Sequence, residues 1–329
     1  MAMTHEGTHG LWYFPAPGPR TTKPNLPHRV LEGRLKREHV RRAGYAASSA
    51  VLQRLHSVGA DARAVFETQA ATSLARRMEA QSNRCPACWH DRAQRCICSA
   101  LDTLAPSLPV RVLILMHHKE YLRASDDAKL LLMMLPAERV RLFIFGRPGD
   151  LDNLHSELDE DPDHALVLWP ADGALTVEEW RASALPESSA WARGGLRTPP
   201  TRTSPANGPS LPLLRVVVLD AVYRSARTMF RHLCKARAGC VGRAPLPAVA
   251  LHPKTLSVYS RAQHGYAQAS ARSVGASADP EALRICTVEA YALLLEELGE
   301  EPELTAALVQ AVVINNDALA LHHVSGQTG

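Results

Sequence analysis

Five short stretches are built around nearly continuous apolar runs: VRVLILMHH (110–118), RVRLFIF (139–145), ALVLWP (165–170), LRVVVLD (214–220) and PAVAL (247–251). None shows the apolar–polar alternation of a sheet with one face in water, so each reads as a strand buried on both sides. Segments able to form helices lie between them. The fold class that follows is α/β, a mostly parallel sheet flanked by helices. At the C-terminal end, TVEAYALLLEELG starts a helix at Thr287 with Leu293, Leu294 and Leu298 on one side, and a second helix is expected from about Pro302 to His323.

A chain of 329 residues with 46% apolar and 21% charged residues has material for one large domain and extensions. No apolar run reaches the ~20 residues that span a bilayer, and MAMTHEGTHGLWYF lacks the charged-then-apolar order of a secretory signal. The expected compartment is the cytoplasm, with an organelle or the nucleus left open. Residues 1–80 read as a basic, mostly helical N-terminal extension. Residues 81–107 form a cysteine loop, and residues 108–329 the sheet-bearing domain. The segment 186–212, PESSAWARGGLRTPPTRTSPANGPSLP, holds six prolines and is expected to be a flexible insertion between two core strands. Between Arg20 and Arg42 eight Lys and Arg face two Glu. Such a run suits a polyanion; the plain alternative is a solvated helix face.

Cys85 and Cys88 form C-x2-C, and Cys96 and Cys98 follow as C-x-C. In a reducing compartment, close-set thiols at these spacings point to metal rather than to a disulfide framework. Four thiolates around a tetrahedral ion leave no position for water, so the expectation is a structural Zn2+ site. The alternative is four buried or redox-active cysteines. Cys234, Cys240 and Cys286 are scattered and read as packing residues, and His90, His117 and His118 are not taken as ligands.

These segments, in order, resemble one family. C-x2-C-x7-C-x-C, then LMHHKE, ALVLWP, VVVLDAVYRSARTMFR and LRICTVEAYALLLEELG are similar to the DTW-domain family of tRNA-uridine aminocarboxypropyltransferases, over about Cys85 to Gly299. The resemblance implies a SPOUT-like domain with a C-terminal trefoil knot, and S-adenosyl-L-methionine as donor. The donor-binding residues it implies are Leu168, Trp169, Pro170, Leu219, Asp220, Arg284, Ile285, Cys286 and Thr287. Loops beyond the carboxyl ends of parallel strands are suitable places for a cofactor.

The resemblance also implies attack by N3 of a uridine, which must lose its proton, and a carboxylate in a secluded pocket can take it. Asp220 is the candidate, with Tyr223 beside it; an N-cap for the following helix is the structural alternative for Asp220. The family's Asp-x-Thr-Trp reads Asp220-Ala221-Val222-Tyr223 here, and its Thr-Asn-Thr-like turn reads Ser125-Asp126-Asp127, which adds negative charge. Thr287 caps the helix or meets the donor, and Glu289 serves the capping turn.

Arg224, Arg227 and Arg231 share a helix face and, with Arg243, Lys254 and Arg261, are candidates to hold RNA phosphates. Tyr259 or Tyr223 is a candidate to stack on an extruded base. Two functions follow: transfer of the 3-amino-3-carboxypropyl group to a uridine of tRNA, with rRNA as the other candidate, or a catalytically impaired RNA-binding or ribosome-assembly factor that keeps the fold. No membrane partner is expected, and the oligomeric state is not legible.

Overall fold

The structure, a computed structural model, describes residues 62–81, 83–185, 189, 191, 211–238, 245–253, 257–259 and 285–324. All belong to one compact unit, Leu55–Gly329. The basic run Arg20–Arg42, Cys240, Arg243, Lys254, Arg261, Arg284 and most of the 186–212 segment lie outside the described residues.

The five apolar runs are the five strands of a single sheet: β1 (Val110–His117), β2 (Val140–Phe145), β3 (Ala165–Leu168), β4 (Leu214–Asp220) and β5 (Ala248–Val249). Their order is β2-β1-β4-β3-β5, and every pairing is parallel. The helices are α1 (Ala62–Glu79), α2 (Lys129–Met134), α3 (Asp150–Asp159), α4 (Val177–Ser183), α5 (Tyr223–Ala238), α6 (Thr287–Leu298) and α7 (Pro302–Val324).

Both faces of the sheet are covered, which is why the strand residues show no alternation. Val112, Ile114, Met116, Val216 and Val218 pack on one side with residues of α2, α4, α6 and α7. Leu113, Leu115 and Val217 pack on the other with Leu154 and Leu158 of α3 and Ala226, Met229 and Leu233 of α5. Each fully buried aliphatic side chain contributes about 1.5–3 kcal/mol. Trp191, inside the proline-rich segment, is fully buried and donates from Nε1 to the Pro212 carbonyl at 2.8 Å, so this part of the expected flexible insertion is built into the core.

Helix α6 runs the length of the sheet against the strand direction. Its C-terminus is closed by Gly299 at φ 93°, in the left-handed region that favours glycine. The next residue, Glu300, accepts from Ser107 Oγ (2.6 Å), Ser107 N (3.1 Å) and Leu108 N (3.0 Å) just before β1. Its N-terminus therefore arrives where the strands end. That end is the site for ligands in open parallel sheets, at the point where neighbouring connections diverge. Here β1 leads outward to β2 on one side while β4 lies on its other side.

Helix α1 closes over part of this end. Phe66 packs at 5.1 Å (ring centroids) from Phe145 and at 5.6 Å from His118. Arg77 donates to the Tyr121 carbonyl at 3.2 Å. The close approach needs a glycine at the end of β2: Gly146 sits at φ +100°, and a Cβ there would lie 2.6 Å from Ala70 Cβ and 2.9 Å from the Phe66 ring. Gly146→Ala combines an unfavourable backbone with a clash against a helix. It should cost about 2–4 kcal/mol and lower the melting temperature by roughly 5–10 °C, as read by thermal denaturation.

Candidate active site and metal centre

Asp220 is the last residue of β4, opposite Met116 of β1. Its carboxyl is buried at 4% exposure. Oδ1 accepts from the Thr287 hydroxyl at 3.0 Å, and Oδ2 is buried with no hydrogen-bond partner among the described residues. The structural alternative for Asp220, a cap on the next helix, is not what forms: α5 opens at Tyr223, with the Val222 carbonyl accepting from the Ser225 and Ala226 amides. Thr287, for its part, spends its hydroxyl on Asp220 rather than on capping α6.

The N-terminus of α6 is held by carboxylates from elsewhere. Asp127 Oδ2 accepts from Val288 N at 3.0 Å, satisfying one of the amides that a helix leaves open. Glu289 reaches back to Cys286 N (2.8 Å) as a capping turn requires, and also accepts from Val258 N (2.7 Å) and from Ser257 Oγ. Asp126 Oδ1 accepts from Lys129 N at 3.1 Å, at the start of α2. The negative charge that the Ser125-Asp126-Asp127 turn adds is therefore two buried carboxyls that organise helix ends.

Burial governs the ionisation of this cluster. It raises Asp126 to about 7 and Asp127 upward, and it raises Asp220 well above the usual carboxylate range, with the carboxylates of Asp126, Asp127 and Glu120 adding to the effect. Lys129, fully buried beside them, is pushed down to about 8 by burial; its ammonium donates to the Ala124 carbonyl and lies 6.0 Å from the Trp89 ring. Burial also holds His117 at about 4 and His118 at about 3, so both rings are neutral near pH 7.

Beside the acids lies an aromatic ledge. Trp169, directly after β3, stacks on Tyr223 (centroids 5.1 Å, 26°) and on Phe230 (5.7 Å, 25°). The Arg227 guanidinium sits 5.5 Å from the centre of the Tyr223 ring, and Tyr223 itself is 41% exposed. Arg224, Arg227 and Arg231 are exposed along α5. Of the two tyrosines considered for stacking, Tyr259 is buried and donates its hydroxyl to the Ser125 carbonyl, which removes it from that role.

The expected donor-binding residues that are described gather around Asp220. Leu168, Trp169 and Pro170 close β3, Leu219 precedes Asp220 on β4, and Ile285, Cys286 and Thr287 lead into α6. Cys286 is buried at the start of α6, its amide donating to Glu289. Asp126 and Asp127, noted in the sequence only as a departure from the family's turn, belong to the same cluster, as does Lys129, which the motifs did not single out.

The four loop thiols form a second centre. The Sγ atoms of Cys85, Cys88, Cys96 and Cys98 all lie within 4.8 Å of one another, with Cys85–Cys98 at 3.5 Å and Cys88–Cys96 at 3.8 Å. Sulfurs about 2.3 Å from a tetrahedral ion stand about 3.8 Å apart, so the group suits a metal ion with all positions filled. The knuckle is closed by Cys85 N to the His90 carbonyl (2.8 Å) and Trp89 N to the Cys85 carbonyl (2.9 Å), with Trp89 at φ 61°. His90 is bonded through Nε2 to Asn315 Oδ1 of α7 at 2.8 Å, which docks the loop on the domain.

The DTW domain family model matches residues 82–314, from the cysteine loop to the middle of α7. The chain belongs to the DTW domain family. No curated protein and no solved structure matches it significantly. The DTW domain match takes in both the four-cysteine group and every segment that meets at Asp220. No helix among the described residues is long and apolar enough to cross a membrane.

Two measurements check these contacts. Glu289→Ala leaves three donors without their acceptor and should cost at least about 3 kcal/mol in denaturant unfolding. Cys85→Ser should release the bound metal, seen by elemental analysis, and lower the melting temperature; full metal content in the variant would contradict the assignment.

Proposed function

We propose that this DTW domain protein is an RNA-modifying transferase that moves the 3-amino-3-carboxypropyl group of S-adenosyl-L-methionine to N3 of a uridine, in tRNA or rRNA. One observation carries the reading: the buried Asp220 carboxyl with an unpartnered Oδ2 at the end of a central parallel strand. An acceptor left unsatisfied in the interior costs about 1–3 kcal/mol, and such groups persist where a ligand completes them. A SPOUT-like arrangement with a C-terminal knot belongs to the same proposal. Its support is the return of α6 to the carboxyl end of β4.

The residues present fit the donor. Leu168, Trp169, Pro170, Leu219, Ile285 and Cys286 are the strand-end residues that would hold it, next to the Thr287–Asp220 pair. When bound it supplies a methionine Cγ made electrophilic by the sulfonium, with 5′-methylthioadenosine as the leaving product. Asp220 accepts the N3 proton of the uridine, and its own orientation is kept by the Thr287 hydroxyl. Tyr223, stacked on Trp169 and partly exposed, offers a face against which a base rests. The exposed arginines 224, 227 and 231 contact phosphates without reading sequence. The four cysteines hold Zn2+ in a structural role, since no ligand position is left for chemistry.

Incubation of the purified protein with tRNA and S-adenosyl-L-methionine should yield 3-(3-amino-3-carboxypropyl)uridine by nucleoside mass spectrometry. Asp220→Asn should lower the rate on the order of 10²–10⁴-fold with donor binding, read by calorimetry, retained. Folded parent protein that binds the donor and forms no product would favour the non-catalytic RNA-binding reading instead.

A further inference from the structure

Among the described residues three large apolar side chains are strongly exposed, and two of them, Val222 (53%) and Tyr223 (41%), stand together just beyond Asp220. Exposed apolar side chains grouped beside converging polar groups mark a binding surface. Tyr223 has two ring faces. Trp169 stacks on one of them at 5.1 Å and 26°, and Trp169 is itself buried at 9% exposure, so an incoming base has only the other face of Tyr223 to rest on. Over that same ring lies the Arg227 guanidinium, its Cζ 5.5 Å from the centroid.

Arg227 is four residues on from Tyr223, a spacing at which helical side chains meet. Helix α5 presents Arg224, Arg227, Arg231 and Lys235 to solvent and has no Asp or Glu from Tyr223 to Ala238. Among the described residues none of the four has a carboxylate partner; the ion pair of this helix is that of the buried Arg237 with Asp159. Like charges three and four residues apart oppose a helix, so the face is arranged for an anion from outside. An exposed cation–π contact is weak, whereas a guanidinium and a phosphate form charge-assisted bonds, and a base stacked on a ring gains more than the guanidinium gives up.

We propose that Arg227 holds the stacking face of Tyr223 in the free chain and gives it up to a nucleobase, its guanidinium moving to the phosphate next to that base. The ligand is one unpaired nucleotide of an RNA strand, base and phosphate together. Arg227 is a positioning residue that couples engagement of the backbone to the opening of the ledge, so a base without its phosphate meets a covered ring. Only the identity of the base, a uridine, rests on the transferase reading; the exchange is a property of the chain.

Ring-current shifts read the exchange directly. In nuclear magnetic resonance spectra of the full chain labelled at arginine, the Arg227 Cδ protons should lie upfield of those of Arg224 and Arg231, and the shift should vanish in Tyr223→Leu. Adding a single-stranded oligouridylate should abolish it in the parent. Arg227→Ala should weaken oligouridylate binding about 3–10-fold and lower its salt slope by about 0.7, as read by fluorescence anisotropy. The same variant should bind uridine nucleoside, which has no phosphate, about 2–5-fold more tightly, the equivalent of the cation–π contact removed. An unshifted Arg227 in the free chain, a shift that persists in the RNA complex, or nucleoside binding that fails to rise in Arg227→Ala overturns the exchange. Loss of the shift with S-adenosyl-L-methionine alone gives the ledge to the adenine of the donor and overturns it as well. A parent that shows the exchange but makes no product rejects the transferase reading and leaves the exchange standing; product formed with the shift retained does the reverse.

Discussion

The N-terminus of α6 is drawn onto the carboxyl end of the central strands, and the rest of the site is arranged by that contact. A helix start exposes amides with no internal partner, and it carries a partial positive charge. Asp127 meets the Val288 amide and Glu289 meets the Cys286 amide, while Thr287 lies against Asp220. Four segments far apart in sequence, near residues 126, 220, 258 and 287, are thereby bound into one cluster. Loosening any one of them leaves a buried polar group exposed to nothing, which is why the cluster behaves as a unit.

The surroundings hold that contact from outside. At the opposite end of the sheet Glu300 ties the close of α6 to the residues before β1, so the helix is fixed at both ends. The cysteine knuckle docks on α7 through His90 and Asn315, and Trp89 packs edge-on against Tyr121 in the loop after β1. Arg84 and Gln81 donate to the Leu122 carbonyl of the same loop. The cysteine knuckle thus braces the loop that leads to Asp126 and Asp127. The cysteine group and the acidic cluster are joined here through the Leu122 carbonyl and the Trp89–Tyr121 contact.

Much of the architecture was legible in the chain. Each apolar run became a strand of a parallel sheet, because a strand buried on both faces has no use for polar residues and nothing but helices can cover it. The two final helices and the cysteine group were equally readable, the helix at Thr287 from its leucine side and the cysteines from local spacing. The site was legible in part. Asp220 and Thr287 stood out in motifs, but their mutual hydrogen bond did not, since it joins residues 67 positions apart in the chain. The acidic turn was legible only as added negative charge: composition reports that Asp126 and Asp127 are acids, not that they are buried beside helix amides. Tyr259 was a stacking candidate by residue type until the Ser125 carbonyl claimed its hydroxyl.

By itself, then, the order of residues determined which segments are strands, which are helices, and that four thiols sit in one loop, because those outcomes depend on neighbours within a few positions. Which carboxyls lose water, which hydroxyl is spent on which acid, and which ring stays exposed at the ledge were decided only when the chain closed on itself. These depend on desolvation and on partners brought from distant segments, and neither quantity exists in an extended chain.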